Sequence, residues 1–236
     1  MEQIVATMEE WTAARLEHLT AEKAFTRQRD ELSRQRRALP WVEVAAEYAF
    51  DTPTGQVSLA ELFGPHHQLL VYHFMMGPGW VEGCPSCSFW ADNFDGVDVH
   101  LAHRDTALVA VSRAPIDEIE SYKARMGWTF RWVSSAQSRF NFDMGVSFDP
   151  GDETAAYNFG TQTNYGEESP GMSAFYRKDD GRIFLTYQTF SRGLDMINGA
   201  YHMLDLTARG RDEGDLEWPM AWLHRHDAYP DGDAAR

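Results

Sequence analysis

The stretch Gln68-Leu69-Leu70-Val71-Tyr72-His73-Phe74-Met75 decides the fold class of this chain. It is almost continuously apolar and β-prone, which is typical of a central strand covered on both faces. A break at Gly77-Pro78-Gly79 leads to the dithiol Cys84-Pro85-Ser86-Cys87, and the residues from Ser88 to Phe94 are predicted to be helical. The sequence therefore predicts a buried strand, then two cysteines, then a helix.

The residues that follow repeat this order of elements. A second apolar strand is predicted from Ala107 to Ser112, followed by a helix with Pro115 in its first turn and Gly127 at its end. This βαβα order implies parallel strands joined by right-handed crossovers. A hairpin is predicted from Ser173 to Tyr187 around the turn Asp180-Gly181. The fold class is thus α/β, with a mixed sheet flanked by helices.

Weaker patterns occur in the second half of the chain. Arg131 to Ser134 and Val146 to Phe148 are predicted as short edge strands. The segment from Pro150 to Gly171 is polar and longer than an ordinary connection, so we expect a functional loop there. A closing helix is predicted from Asp195 to Leu206.

The N-terminal residues predict a separate helical arm. Residues 2–38 contain no glycine, and Thr20 is a candidate N-cap that would interrupt the helix. The expected domains are a helical arm over residues 1–39, an α/β domain over residues 40–226 and a flexible tail over residues 227–236. Because its apolar stripe is imperfect, the arm is expected to pack on the domain or on a second subunit, which would make a homodimer.

Composition limits the classes of function. The chain has 236 residues, 43% of them hydrophobic, which is enough for a packed core. A net charge of −15 would repel nucleic acid and anionic membrane surfaces, so neither is expected as a partner. We expect a cytoplasmic protein with reduced thiols, because there is no apolar run long enough to span a membrane and the N-terminus lacks the pattern of a secretory signal.

The two cysteines are the strongest candidates for catalysis. A cysteine in the first turn of a helix meets unpaired N–H groups that favour its thiolate, and a thiolate is the nucleophile in disulfide exchange. Cys84 would attack, Cys87 would resolve the mixed disulfide and Pro85 would start the helix. The nearby Glu82 would raise the thiol pKa slightly. The alternative is a pair of inert buried thiols, and the position after a central strand favours redox chemistry.

A metal site is the main rival hypothesis. Cys84 and Cys87 could supply half of a zinc site that His100 and His103 would complete. A second pair of cysteines is absent from the sequence, so a redox dithiol is preferred and neither a metal nor another cofactor is predicted.

Other residues are candidate neighbours of the dithiol. Arg113, just past the second strand, could bind a substrate anion, because guanidinium binds oxyanions bidentately; alternatively it could pair with Asp117 or Glu118. Trp80 could line the rim of a pocket. The predicted substrate-binding residues are Trp80, Pro85, Ser86 and Arg113.

Several motifs resemble a bacterial thioredoxin-like family of unknown function, family 899. They are Gly83–Asp92, Val111–Pro115, Arg139–Asp143 and Arg192–Tyr201. More distantly, the chain resembles the alkyl hydroperoxide reductase and thiol-specific antioxidant group. The resemblance implies a thioredoxin-like fold with the dithiol at the usual active site, and it implies no particular substrate.

Two departures from the related groups shape the functional expectation. Val81 stands where peroxiredoxins carry a hydroxyl residue, so peroxidase activity is not expected. The cis-proline of thioredoxins would fall near Met172, with Pro170 two residues early. We therefore expect a dithiol–disulfide oxidoreductase acting on protein or small-molecule disulfides. The alternative is a non-enzymatic thioredoxin-like binding module.

Overall fold

The computed structural model describes residues 4–45, 47–152 and 154–230. The chain divides into two compact units, Met1–Pro40 and Trp41–Arg236. The first three residues of the predicted arm, and residues 231–236 of the predicted tail, lie outside the described residues.

The first unit contains one continuous helix, α1 (Met8–Arg37). Thr7 caps it: the Thr7 hydroxyl accepts from the Glu10 N–H at 3.3 Å, and the Glu10 carboxylate accepts from the Thr7 N–H at 2.8 Å. The predicted interruption at Thr20 is wrong. The Thr20 hydroxyl instead donates to the carbonyl of Leu16 at 3.4 Å, inside the helix.

The second unit is a mixed β-sheet with short helices around it. Its strands are β1 (Val42–Glu43), β2 (Ala49–Thr52), β3 (Gly55–Ser58), β4 (Gln68–His73), β5 (Thr106–Ser112), β6 (Arg131–Ser134), β7 (Ala156–Tyr157), β8 (Gln162–Thr163), β9 (Gly171–Arg177) and β10 (Ile183–Phe190). Its helices are α2 (Leu59–Leu62), α3 (Pro85–Ala91), α4 (Val97–Ala102), α5 (Ile116–Met126), α6 (Phe140–Asp143), the 3-10 helix Ser191–Ile197 and α7 (Gly199–Leu204). Among the described residues, no helix has both the length and the apolar character that a membrane span requires.

The order of the strands identifies the fold. The main sheet runs β1-β10-β9-β4-β5-β6-β2-β3, and β7 pairs with β8 separately. Strands β4, β5 and β6 are parallel, whereas β9 is antiparallel to both β4 and β10. Helix α3, which begins at the dithiol, connects β4 to β5, and the hairpin β9–β10 adds to the other side of β4. The predicted thioredoxin-like fold is confirmed.

Strand β4 separates two hydrophobic clusters because its side chains alternate between the faces of the sheet. Leu69 and Val71 belong to the cluster on one face, and Tyr72 belongs to the cluster on the other. The Tyr72 face also receives Cys87 from α3 and Ile119 from α5. The dithiol helix is therefore packed on the Tyr72 face of the central strand.

Most regular elements of the second unit match the sequence predictions. Strand β5, the hairpin β9–β10 and helix α5 are confirmed, and Gly127 ends α5 at φ +69°. Arg131–Ser134 is a strand, but it lies between β5 and β2 and not at an edge.

Two predicted elements are wrong. In the predicted strand from Val146 to Phe148, Ser147 makes only an isolated bridge to Glu168. The predicted helix from Asp195 to Leu206 is divided at Asn198, because the Asn198 side chain accepts from the N–H of Tyr201 at 3.0 Å and starts α7 as a new helix.

Candidate active site

The chain reaches the dithiol through a glycine that packs tightly against aromatic rings. A Cβ atom on Gly83 would lie 2.6 Å from Phe74 Cε1 and 2.7 Å from Tyr122 Cε1. The next residue, Cys84, donates its N–H to the carbonyl of Met75 at 3.0 Å. Glycine is needed here for this close approach, which brings the N-terminus of α3 onto the end of the central strand.

The two thiols differ in exposure. Cys84 is the N-cap residue of α3 and is half-buried, whereas Cys87, one turn into the helix, is 1% exposed. Both are free, and the two cysteine side chains approach to 4.0 Å. The N–H of Met75 donates to Cys87 Sγ at 3.4 Å. One thiol is therefore partly accessible from outside the protein, whereas the other is enclosed.

The surroundings of the two thiols move their pKa values in opposite directions. The pKa of Cys84 lies below its ordinary value, because its sulfur accepts a hydrogen bond from the Cys87 thiol and further ones from the Cys87 N–H, the Ser86 N–H and the Ser86 hydroxyl. Burial raises the pKa of Cys87, and the negative charge of Cys84 raises it further. Cys84 is thus the thiol that ionises more readily, and Cys87 the one that stays protonated to higher pH.

Arg225 supports the loop that carries the dithiol. Its guanidinium donates to the carbonyl of Gly83 at 2.6 Å and to the hydroxyl of Tyr122 at 3.0 Å. It also pairs with Glu82 at 2.8 Å, and Arg125 contacts the same carboxylate. The sequence suggested that Glu82 would oppose the thiolate, but two arginines compensate its charge.

A cavity of about 460 Å³ adjoins the dithiol, which is within the range of small-molecule sites. The lining residues come from three parts of the chain and are mainly apolar. They are Tyr72, Met75, Cys84, Ser86, Cys87, Trp90, Tyr165, Pro170, Ser191, Arg192, Leu194, Asp195, Tyr201, Arg211, Glu213, Trp218, Pro219 and Met220.

Arg211 joins the C-terminal elements that line the cavity. It donates to Asp195 at 2.9 Å and bidentately to Asp205, at 2.9 Å for each bond. Its guanidinium carbon lies 3.9 Å from the centroid of the Tyr201 ring. A single cation therefore links the 3-10 helix, the end of α7 and the segment after it.

The predicted site residues fall into two groups. Cys84, Cys87 and Ser86 line the cavity, and Pro85 is the first residue of α3 beside them. Trp80 and Arg113 are not among the described residues that line it. Their predicted role in substrate binding stays a prediction, as do the catalytic roles of the cysteines.

Arg113 has structural partners other than those considered from the sequence. It pairs with the buried carboxylate of Glu168 at 2.8 Å, and its guanidinium carbon lies 4.4 Å from the centroid of the Phe142 ring. Glu168 also accepts from the hydroxyl of Ser147 at 2.7 Å. A Cβ on Gly77 would come 3.1 Å from the indole nitrogen of Trp80 and 3.3 Å from Glu168, so Trp80 belongs to the same neighbourhood.

The residues of the rival zinc site are not brought together. His100 lies in α4 and His103 just after it, and both are exposed. Within residues 4–45, 47–152 and 154–230, no three His, Cys, Asp or Glu side chains are grouped in a way that could hold a metal ion.

Pro170 takes part in the cavity although all peptide bonds of the described residues are trans. It lines the cavity together with Cys84 and precedes the first residue of β9. Its carbonyl accepts a hydrogen bond from the hydroxyl of Tyr157. Pro170 thus lines the dithiol cavity two residues before Met172, and Pro219 lines it as well.

Sequence reasoning missed much of the cavity. Tyr72 could have been found, because alternation along β4 places it on the face that the dithiol helix covers. Tyr201 lies in the helix predicted from Asp195 to Leu206, but nothing in that pattern places it in a cavity. The sequence gives no usable signal for Arg211, Glu213 and Trp218, because the segment that carries them is polar and has no long periodic pattern.

Comparisons with known proteins identify relatives of the chain. Residues 1–229 match the family described as "Bacterial protein of unknown function (DUF899)". None of the curated proteins matches.

Several solved structures are similar to this one. Peroxidoxin BcpB from Mycobacterium tuberculosis is 15% identical, with a TM-score of 0.46 over 66% of this chain and 92% of that chain. A mutant of PrxQ from Xylella fastidiosa is 12% identical, with a TM-score of 0.44 over 66% of this chain and 88% of that chain. Peroxiredoxin Q from Xanthomonas campestris is 15% identical, with a TM-score of 0.43 over 64% of this chain and 87% of that chain.

Proposed function

Because this chain belongs to the bacterial family DUF899, whose function is unknown, we propose a function from the site itself: a dithiol–disulfide oxidoreductase. One observation carries the proposal. A half-buried Cys84 with a lowered pKa lies in the wall of a cavity, and the neutral thiol of Cys87 lies behind it. This is the arrangement that exchange requires, because the thiolate attacks and a second thiol must reach the mixed disulfide.

The reaction has two steps. The Cys84 thiolate attacks one sulfur of a substrate disulfide, the substrate S–S bond breaks, and one substrate thiolate leaves. Cys87 then gives up its proton to the departing product and attacks Cys84 Sγ, which releases the second substrate thiolate and forms the Cys84–Cys87 disulfide. Two electrons pass from the protein to the substrate, which becomes one thiol and one thiolate, and the thiolate takes a proton from water.

The 4.0 Å approach of the two cysteines supports the second step, since only a small movement is needed to form the bond. The N–H of Met75 on Cys87 Sγ supports it as well, because it stabilises negative charge on that sulfur as the proton leaves. The proposal includes a cytoplasmic location, where a reduced thiol pool can restore the dithiol.

Trapping of the mixed disulfide tests this function. Reduced Cys87→Ser protein is treated with bis(2-hydroxyethyl) disulfide and analysed by intact mass and peptide mapping. We expect one stable half-disulfide on Cys84, whereas the wild type forms an internal disulfide and releases both halves as thiols. The Cys84→Ser variant is the matched control, and its buried Cys87 should react slowly.

Two results would contradict the function. The first is an absence of any adduct on Cys84 in the Cys87→Ser variant, and the second is equally rapid modification of Cys87 in the Cys84→Ser variant. Thiols that stay unreactive while the protein is folded would favour the alternative, a non-enzymatic thioredoxin-like binding module.

A further inference from the structure

Glu213 differs from the other charged residues that line the dithiol cavity. Arg192 and Arg211 both pair with Asp195, at 3.0 Å and 2.9 Å, and Arg211 also pairs with Asp205 at 2.9 Å, so two cations are matched by two carboxylates. Glu213 forms no ion pair within 4.0 Å among the residues that the structure describes, although it lines the same cavity. The lining therefore contains one carboxylate whose charge is not matched by a cation.

Neutral donors hold this carboxylate in place. Glu213 Oε1 accepts from the hydroxyl of Tyr201 at 2.8 Å, from the indole N–H of Trp222 at 2.8 Å and from the N–H of Met220 at 3.1 Å. All three bonds end on one oxygen, which leaves the other oxygen, Oε2, to accept from a ligand. The three contacts fix the orientation of the group but leave its negative charge in place.

The rest of the lining suits a cation. Five of the lining side chains are aromatic: Tyr72, Trp90, Tyr165, Tyr201 and Trp218. Aromatic faces attract organic ammonium groups, and the attraction is larger where water is excluded. The net charge of −15 also raises the local concentration of cations and disfavours anionic ligands.

We propose that this cavity binds the ammonium group of an amine-bearing, low-molecular-weight disulfide, with Glu213 as its charge partner and the disulfide presented to Cys84. This inference rests on the proposed exchange function and adds a substrate class to it. The lining favours it over a carboxylate-bearing disulfide, because the cavity offers such a substrate no unpaired cation among the described residues.

The chemistry is a single two-electron exchange. The Cys84 thiolate attacks one sulfur of the diamine disulfide and displaces the first aminothiol. Cys87 loses its proton to that product, attacks Cys84 Sγ and displaces the second aminothiol. The protein ends as the Cys84–Cys87 disulfide, so one equivalent of reduced protein suffices and no further reductant enters the measured step.

Single-turnover rates with three probes test the proposal. Reduced wild-type protein is mixed separately with cystamine, bis(2-hydroxyethyl) disulfide and 3,3′-dithiodipropionate, which are cationic, neutral and anionic. Each rate is divided by the rate at which dithiothreitol reduces the same probe, which corrects for differences in intrinsic reactivity among the three disulfides. We expect the normalised rate to be about tenfold higher for cystamine than for the neutral probe, and lower still for the anionic probe.

The variant Glu213→Gln keeps an oxygen for the three donors and removes the charge. The ratio of cystamine to neutral probe should fall to near one in this variant. Glu217→Gln is the matched control: it removes the same charge from an exposed residue outside the cavity lining, and it should keep the wild-type ratio. Thermal melts establish that both variants are folded.

The outcomes separate this inference from the function on which it rests. Equal normalised rates for all three wild-type probes, or a cystamine preference that persists in Glu213→Gln, would overturn the amine-binding cavity while Cys84 still exchanges. Failure of all three probes to react with the reduced wild type would reject the exchange function and the inference with it. The wild-type comparison alone can overturn the inference if the variant does not fold.

Discussion

Two of the three parts of the chain that line the dithiol cavity form walls that are built in different ways. Strand β4 and helix α3 supply the wall with Tyr72 and Cys84, where regular hydrogen bonding and buried aromatic packing fix each atom. The other wall, from Ser191 to Met220, contains short helices and turns, and Asp212 and Met220 have φ values of +52° and +70°. Side-chain contacts, and not regular backbone pairing, hold this wall together. The pairs of Arg211 with Asp195 and Asp205 are called its clamp below. We therefore expect the first wall to be the more rigid of the two.

The largest expected effect comes from crowding the first wall. Gly83→Ala would put a methyl group within 2.8 Å of the rings of Phe74 and Tyr122, which are both buried in the core. We expect the free energy of unfolding to fall by about 3 kcal/mol, the upper end of the range for overpacking. Urea unfolding of the reduced protein measures this.

Gly214→Ala is the matched control in the second wall. A Cβ at Gly214 has none of the described atoms within 4 Å, so its stability should change by less than about 0.5 kcal/mol. Equal losses for the two variants would contradict the idea that the walls differ in packing.

The next largest effect comes from removing the clamp of the second wall. Arg211→Met keeps the aliphatic stem but breaks the pairs with Asp195 and Asp205. We expect a loss of about 2 kcal/mol, because Arg211 and Asp195 are largely shielded from water, while the pair with Asp205 is screened. The pH profile of Cys84 alkylation should not move, since this clamp does not touch the first wall.

Arg209→Met controls for the loss of a nearby positive charge. The Arg209 side chain is 85% exposed and approaches Asp212 only to 3.8 Å, so this variant should unfold like the wild type. A shift in the alkylation profile of Cys84 in Arg211→Met would show that the two walls are coupled.

The same division decides what could be predicted from sequence. Strand β4, the dithiol helix and α5 follow from apolar runs and from helix end signals that are local in sequence, so their existence could be predicted. The partners of Arg113 could not be predicted, because they are distant from it in sequence. The division of the helix at Asn198 could not be predicted either, because one cap there competes with a helical pattern.

For the site as well, the residues of the first wall could be predicted and those of the second could not. The dithiol and Ser86 could be placed in the cavity because a motif of four residues carries them. Glu213 and Tyr201 meet at 2.8 Å only after α7 and the turns that follow it have folded. No spacing in the sequence encodes that contact, so the second wall could not be predicted.

A smaller effect on the free energy of unfolding should appear when pH changes the ionisation of Cys84 in the first wall. The pKa of Cys84 is lower in the folded than in the unfolded protein, so the ionised thiol stabilises the folded state. This contribution to the free energy of unfolding is complete above the unfolded thiol pKa of about 8.5, and it is lost as pH falls through the folded pKa. Relative to Cys84→Ser, the reduced wild type should gain roughly 1 kcal/mol between about pH 5 and about pH 8. Urea unfolding at the two pH values measures the difference, and a gain in the opposite direction would contradict the lowered pKa.

The smallest expected effect isolates one hydrogen bond within the first wall. The Ser86 hydroxyl is one of the groups that hold down the pKa of Cys84, after the Cys87 thiol and the two backbone N–H groups. Because the other three contacts remain in Ser86→Ala, the midpoint of Cys84 alkylation by iodoacetamide should rise only slightly and stay below the value of about 8.5 for a free thiol. Ser191→Ala, in the second wall of the same cavity, should leave that midpoint where it is, because Ser191 contributes no hydrogen bond to the thiolate. If Ser86→Ala alone moved the midpoint up to the free-thiol value, the Cys87 thiol and the backbone N–H groups would not be the main supports of the thiolate. The first wall would then depend on this side chain as much as the second wall depends on its side-chain contacts.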